Sequence, residues 1–306
     1  MTNYKPLANL FYLLLACSIG ILVIGGMGML IALAVNHWDA LTIDKLTTTI
    51  PVRKLWAMRI LQSFVHMGVF LMPSLWLIRY RSLPVFKKRI ISSKRNDFLL
   101  VLLLVVSVIP LMEFVYTVNQ QIVLPHFLQG LQNWMKAKEI EADTLVKVLL
   151  YGTSFSVVIA NVVMVAVLPA LGEELFFRGC LQKMIGSWLN NHHRAIWITA
   201  VIFSAIHLQF YGFFPRLLLG AMFGYLYHWT KNIWLPILAH FVNNLLGVIS
   251  AFVYSLSHAD LTQMENSFSI PWYIILISML LGIYLFFLIY TNSLEIEDGI
   301  CLHKEE

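Results

Sequence analysis

The chain has 306 residues, 59% of them hydrophobic and only 12% charged. A soluble domain carries about 25% charged residues, so this composition, with its apolar runs of about 20 residues, excludes a soluble globular protein and places the chain in a bilayer. The net charge of +5 does not signal nucleic acid, because the basic residues sit between the apolar runs, where they set orientation and meet anionic lipid headgroups.

The first apolar stretch, 10–35, ends in Ala32-Leu33-Ala34, which looks like a cleavage site. It is far longer than the usual ~7–15-residue signal core and is expected to stay as a membrane helix. Seven further spanning segments follow: 55–78, 98–118, 147–172 with an extension, 194–211, 213–230, 232–255 and 270–291, the first segment being 8–35. The predicted fold class is therefore an all-α membrane protein, a bundle of about eight transmembrane helices. After the second segment come Arg79, Arg81, Lys87, Lys88, Arg89, Lys94 and Arg95, opposed only by Asp97. The positive-inside rule makes this loop cytoplasmic, and counting outward puts both termini in the cytoplasm of a multi-pass protein of the inner (plasma) membrane. Lys45, Arg53, Lys54 and Arg59 depart from the rule, because they fall on the outer side. In the outer connection, 119–144, Phe127, Leu128, Leu131, Trp134 and Met135 recur at helical spacing, which predicts an amphipathic helix in the interface. Three scattered cysteines, Cys17, Cys180 and Cys301, give neither a disulfide framework nor a zinc ribbon.

Ionisable groups inside a bilayer are costly and are functional candidates by default. The fourth segment ends in Pro169-Ala170-Leu171-Gly172-Glu173-Glu174-Leu175-Phe176-Phe177-Arg178, the fifth holds Phe203 and His207, and the seventh His240 and Asn244. Lys183, Arg194 and Lys231 mark the cytoplasmic edge of these three segments. At ~1.5 Å rise per residue, Glu173 lies about 15 Å from Lys183 and His207 about 20 Å from Arg194. From Lys231, His240 lies about 14 Å and Asn244 about 20 Å. Half a hydrocarbon core is about 15 Å, so all four reach a similar depth, provided the fourth helix continues past a bend at Pro169.

Glu174 and Arg178 are four apart and pair along one helix face, which leaves Glu173 turned toward a different side. His240 and Asn244 are also four apart. A carboxylate with a histidine can hold and deprotonate a water, and a His–Asn pair can donate hydrogen bonds to a developing oxyanion. These are parts for hydrolysing an amide without a covalent nucleophile. His66 and Glu113 also fall within segments, but neither has a polar neighbour at helical spacing, and both read as structural. Gly220 and Gly224 fit close helix packing.

Glu173-Glu174-x-x-x-Arg178, Phe203-x-x-x-His207 and His240-x-x-x-Asn244, in that order, resemble the three motifs of the CAAX prenyl endopeptidase and bacteriocin-processing (CPBP, or Abi) family, over roughly residues 150–250. The resemblance implies an eight-helix intramembrane endopeptidase in which Glu173 and His207 activate water and His240 and Asn244 stabilise the oxyanion. Glu174, Arg178 and Phe203 would be supporting. On that basis the chain divides into N-terminal helices with the outer connection (1–145), the catalytic helix core (146–255), and a last helix with a short cytoplasmic tail (256–306). The implied partners are a membrane-protein or lipidated-peptide substrate and membrane lipid. The resemblance leans to a metal-free mechanism, with no cofactor. Zinc held by Glu173, His207 and His240 is the alternative, although no His-Glu-x-x-His is present. A non-enzymatic immunity or scaffold protein, and a transporter, are the competing classes.

Overall fold

The computed structural model of the chain describes residues 6–41, 50–81, 85, 95–257 and 270–302. Lys45, Lys87, Lys88, Arg89, Lys94 and the Arg95 side chain, which carry part of the orientation argument, lie outside the described residues, as do 258–269 and 303–306. Among the described residues there is no strand, and nine helical rods follow one another. They are α1 (Pro6–Val35), α2 (Val52–Tyr80), α3 (Arg95–Gln120), α4 (Gln129–Leu150), α5 (Phe155–Leu189), α6 (His192–Ala205), α7 (Phe213–Thr230), α8 (Trp234–Ser257) and α9 (Trp272–Leu302). Six of these, α1, α2, α3, α5, α8 and α9, are long and apolar enough to cross a membrane. The chain is a multi-pass membrane protein.

Each predicted segment falls on a helix, with three adjustments. Residues 147–150 belong to α4, not to the fourth span. The chain turns at Gly152, whose φ of 147° side-chain-bearing residues rarely adopt. It restarts where Ser154 caps α5 by accepting from the Val157 N–H at 3.4 Å. The fifth segment, expected to run to 211, forms a helix of 14 residues ending at Ala205. That is about 21 Å of helix, short of a hydrocarbon core of about 30 Å. The last helix continues past 291 to Leu302.

Contacts divide the chain into two compact units, and three of the divisions fall inside α4, α5 and α8. The first unit comprises Met1–Leu83, Ile140–Met184 and Asn243–Ser267. Its α1 and α2 touch backbone to backbone at Gly20 and Gly68, where a Cβ on either glycine would run into the carbonyl of the other. Gly68→Ala is therefore expected to cost about 1–3 kcal/mol by overpacking. Gly26→Ala, at a glycine whose added Cβ would meet nothing within 4 Å, should be neutral or slightly stabilising. Denaturation midpoints of the two variants in detergent check this contrast.

Two of the cations that depart from the orientation rule, Arg59 and Arg53, have local roles in this unit. Buried Arg59 donates to the Leu149 carbonyl (2.7 and 3.1 Å) and to Asn161 Oδ1 (3.1 Å), while Asn161 Nδ2 donates to the Leu150 carbonyl (2.8 Å). A cation and an amide thus satisfy the last carbonyls of α4 and complement its dipole. Arg53 pairs with Asp39 at 2.9 Å.

The second unit comprises Pro84–Glu139, Ile185–Val242 and Phe268–Glu306. Here α3 carries Pro110 in its interior, which disturbs the backbone ladder. The Ser278 hydroxyl of α9 bridges the disturbed turn, accepting from the Leu111 N–H (3.1 Å) and donating to the Ser107 carbonyl (2.6 Å). Helix α7 packs on α6 through Gly220, whose added Cβ would lie 3.3 Å from the Ala200 Cβ, as its small size predicted. The other end of α7 is held against α9 by Trp229, whose ring meets those of Phe286 and Tyr290 in tilted contacts at 4.7 and 4.9 Å.

Candidate active site

Helix α5 runs without a break from Phe155 to Leu189, past Pro169, as the depth argument required, and its part up to Met184 belongs to the first unit. Glu174 and Arg178 pair at 2.9 Å, both with 0% side-chain exposure. They sit where the helix widens into π turns over Leu175–Leu181. Glu173, also buried, points to a different neighbour. His66 of α2 lies beside it, with Nδ1 3.9 Å from Glu173 Oε1.

Sequence reasoning missed that histidine, because it sought partners at helical spacing and His66 meets Glu173 from another helix. The signal was nonetheless present in Gly172. A Cβ there would stand 3.0 Å from His66 Nε2 and 3.2 Å from the Phe70 Cβ. The missing side chain lets the ring reach the α5 backbone, where Nε2 bonds the Leu168 carbonyl at 3.2 Å.

Pro169 explains a second contact. Its ring nitrogen has no hydrogen, so the carbonyl four residues back, on Val165, loses its helical donor. Asn244 supplies one, with Nδ2 2.9 Å from the Val165 oxygen. The Asn244 Oδ1 accepts from Asn243 Nδ2 at 3.1 Å, which fixes the orientation of the amide. An amide NH2 has two hydrogens, and the Val165 bond takes one of them.

In the second unit Phe203 is the shared wall of both histidines. Its ring centroid lies 5.3 Å from that of His207 and 5.9 Å from that of His240. His240 is buried and stacks on Phe223 at 5.4 Å. His207 sits beyond the end of α6, in the turn to α7, rather than within a helix as predicted. Its Nδ1 is 2.8 Å from the Phe203 carbonyl. A carbonyl only accepts, so Nδ1 carries the hydrogen and the neutral ring presents Nε2 as a base.

The turn carrying His207 is pinned from several sides. Asn119 Nδ2 donates to the Phe210 carbonyl at 2.7 Å, and Glu139 accepts from the Tyr211 N–H at 3.1 Å. Arg216 donates to the Gln209 carbonyl and to its Oε1, at 3.1 and 2.7 Å. Beside the turn is a cavity of about 430 Å³, lined by Asn119, Gln132, Met135, Leu208, Phe210 and Phe214 among others. It is mostly apolar, with a few amides at its wall.

The predicted residues are thus distributed as follows. Glu173, Glu174, Arg178 and Asn244 belong to the first unit, and Phe203, His207 and His240 to the second. His240 and Asn244 share a face of α8, one turn apart. A zinc ion would draw on Glu173 from the first unit and on the two histidines from the second.

Comparison with known proteins bears on the same stretch. Residues 155–246 match the family model described as Type II CAAX prenyl endopeptidase Rce1-like. The matched stretch is less than a third of the chain, yet it contains all seven predicted site residues and stops two residues after Asn244. The chain is also similar to "Uncharacterized protein YpbD" of Bacillus subtilis (strain 168), 31% identical over 88 residues, which is 28% of this chain and 42% of that protein. The chain thus spans less than half the length of that curated relative. No solved structure matches the chain significantly. Residues 155–246 are thus similar to the Rce1-like type, and the match supports the CPBP, or CAAX protease, family for this multi-pass membrane protein.

Proposed function

We propose that the chain is an intramembrane endopeptidase that hydrolyses a peptide bond in a membrane-protein or lipidated-peptide substrate. Glu173 and His207 activate the attacking water, and His240 and Asn244 donate to the oxyanion that forms on the scissile carbonyl. The observation that carries this is the hydrogen bond from His207 Nδ1 to the Phe203 carbonyl. It leaves Nε2 as the proton acceptor, the state a general base needs. The Asn244 amide, oriented by Val165 and Asn243, has a second N–H of the kind that stabilises a developing charge. The apolar cavity, whose lining includes Ala205 and Leu208 on the turn that carries His207, suits an apolar portion of the substrate.

The mechanism proposed uses no metal ion. Hydrolysis should survive chelators, and stoichiometric zinc whose removal stops the reaction and whose return restores it would replace this mechanism with a zinc-dependent one. In this reading both termini lie on the cytoplasmic side of the plasma membrane. Helices α6 and α7 come as a pair, so eight crossings or six give the same sidedness.

The test compares membrane and secreted peptides from cells carrying the wild-type chain with those from cells carrying Glu173→Ala. Specific fragments should appear with the wild type alone, while both proteins accumulate equally in the membrane. Identical peptide sets from the two strains would sink the endopeptidase assignment.

A further inference from the structure

We infer that His66 is a positioning residue for Glu173, an assignment that rests on the endopeptidase reading above. His66 lies on α2, far outside the stretch 155–246 that matches the protease family. Three contacts confine its ring. Nε2 is 3.2 Å from the Leu168 carbonyl, the ring leans on Phe70 at 4.9 Å between centroids, and Gly172 leaves only the space the ring fills.

The Leu168 contact sets the orientation of the imidazole. A carbonyl oxygen has no hydrogen to give, so Nε2–H is the donor. The ring then turns Nδ1 toward Glu173 Oε1, 3.9 Å away, with both side chains 8% exposed. At that distance the imidazole bounds the space open to the carboxylate oxygen on its α2 side. His66 thereby holds one carboxylate oxygen of Glu173 in a fixed direction, and the direction of the other oxygen follows from the planarity of the group. Catalytic groups must be held to within a fraction of an ångström, and a carboxylate on a free-turning side chain is not.

Isosteric amides separate this role from a merely structural one. Asparagine at 66 places an amide nitrogen where Nδ1 was, and glutamine places one where Nε2 was. His66→Asn can therefore still present a polar group to Glu173 while losing the Leu168 contact, whereas His66→Gln keeps the Leu168 contact and loses Glu173. The full-length protein in lipid vesicles is assayed with a farnesylated fluorogenic CAAX peptide. For His66→Ala and His66→Gln, kcat should fall by about 100-fold, the scale of a 1 Å misplacement, with KM little changed. His66→Asn should stay within about threefold of wild type in the same assay. If His66→Gln is active and His66→Asn is not, His66 serves only the α5 backbone. If all three variants keep wild-type kcat, it has no part in the reaction.

A second readout does not depend on turnover. Infrared difference spectra between the wild type and Glu173→Gln isolate the Glu173 carboxyl band. That band should shift in His66→Ala and in His66→Gln, and hold its position in His66→Asn. An unmoved band in all three overturns the contact. Absence of any wild-type hydrolysis counts against the endopeptidase reading itself, and the infrared arm still decides the role of His66.

Discussion

Arg178→Ala is expected to destabilise the protein by about 3–5 kcal/mol, because it leaves the Glu174 carboxylate charged and buried without its partner. Both side chains are fully buried and 2.9 Å apart, so water cannot take over when one is removed. A loss on this scale is a large part of the ~5–15 kcal/mol that holds a typical domain together. The variant should be degraded in cells or recovered with a lowered denaturation midpoint. Replacing both partners, Glu174→Met with Arg178→Met, removes the two desolvation costs along with their attraction and should restore most of the midpoint. If the single and double variants unfold alike, the pair is not what stabilises this turn of α5. Catalytic loss in Arg178→Ala is read through this instability and does not by itself assign Arg178 a chemical role.

Glu173→Gln should behave in the opposite way. The amide keeps the size and much of the polarity of the carboxylate, so the denaturation midpoint should move little. Hydrolysis should fall by about 10²–10⁴-fold, the usual contribution of a positioned general base. Asn244→Ala makes an informative companion, since the Asn244 amide already serves the Val165 carbonyl. Its loss should lower activity by about 10²–10³-fold as an oxyanion donor, and also cost about 1–3 kcal/mol for the carbonyl left unsatisfied. A loss of stability without a loss of kcat would reduce Asn244 to a structural tie. Full activity in Glu173→Gln would remove Glu173 from the chemistry.

The sequence made the lipid-facing architecture legible because hydropathy runs of about 20 residues report directly on a bilayer. It also placed Glu174 with Arg178, since that pairing is local and follows from a four-residue spacing. What it did not reach were contacts made between helices. His66 looked structural because its partner, Glu173, is more than a hundred residues away in the chain, and periodicity carries no information on that scale. Arg59 looked like a breach of the orientation rule because the α4 carbonyls it satisfies become neighbours only on folding. The end of α6 at Ala205 was hidden for a different reason. Ile206, Leu208 and Phe210 continue the apolar run, while the turn is fixed by Asn119, Glu139 and Arg216 from other parts of the second unit.

The two helix-interior prolines impose a condition on how the sequence can vary. Pro169 withdraws a donor from Val165 and Asn244 returns one; Pro110 disturbs α3 and Ser278 bridges the turn. The first pair is a lock divided between distant parts of the gene. Within a bilayer no water stands ready to fill a vacant backbone site, so neither half can drift alone. Relatives that replace the proline with a hydrogen-donating residue free the partner position to become apolar. Relatives that keep it should keep an amide or hydroxyl opposite. Among descendants of this sequence, positions 169 and 244 should therefore change together or not at all.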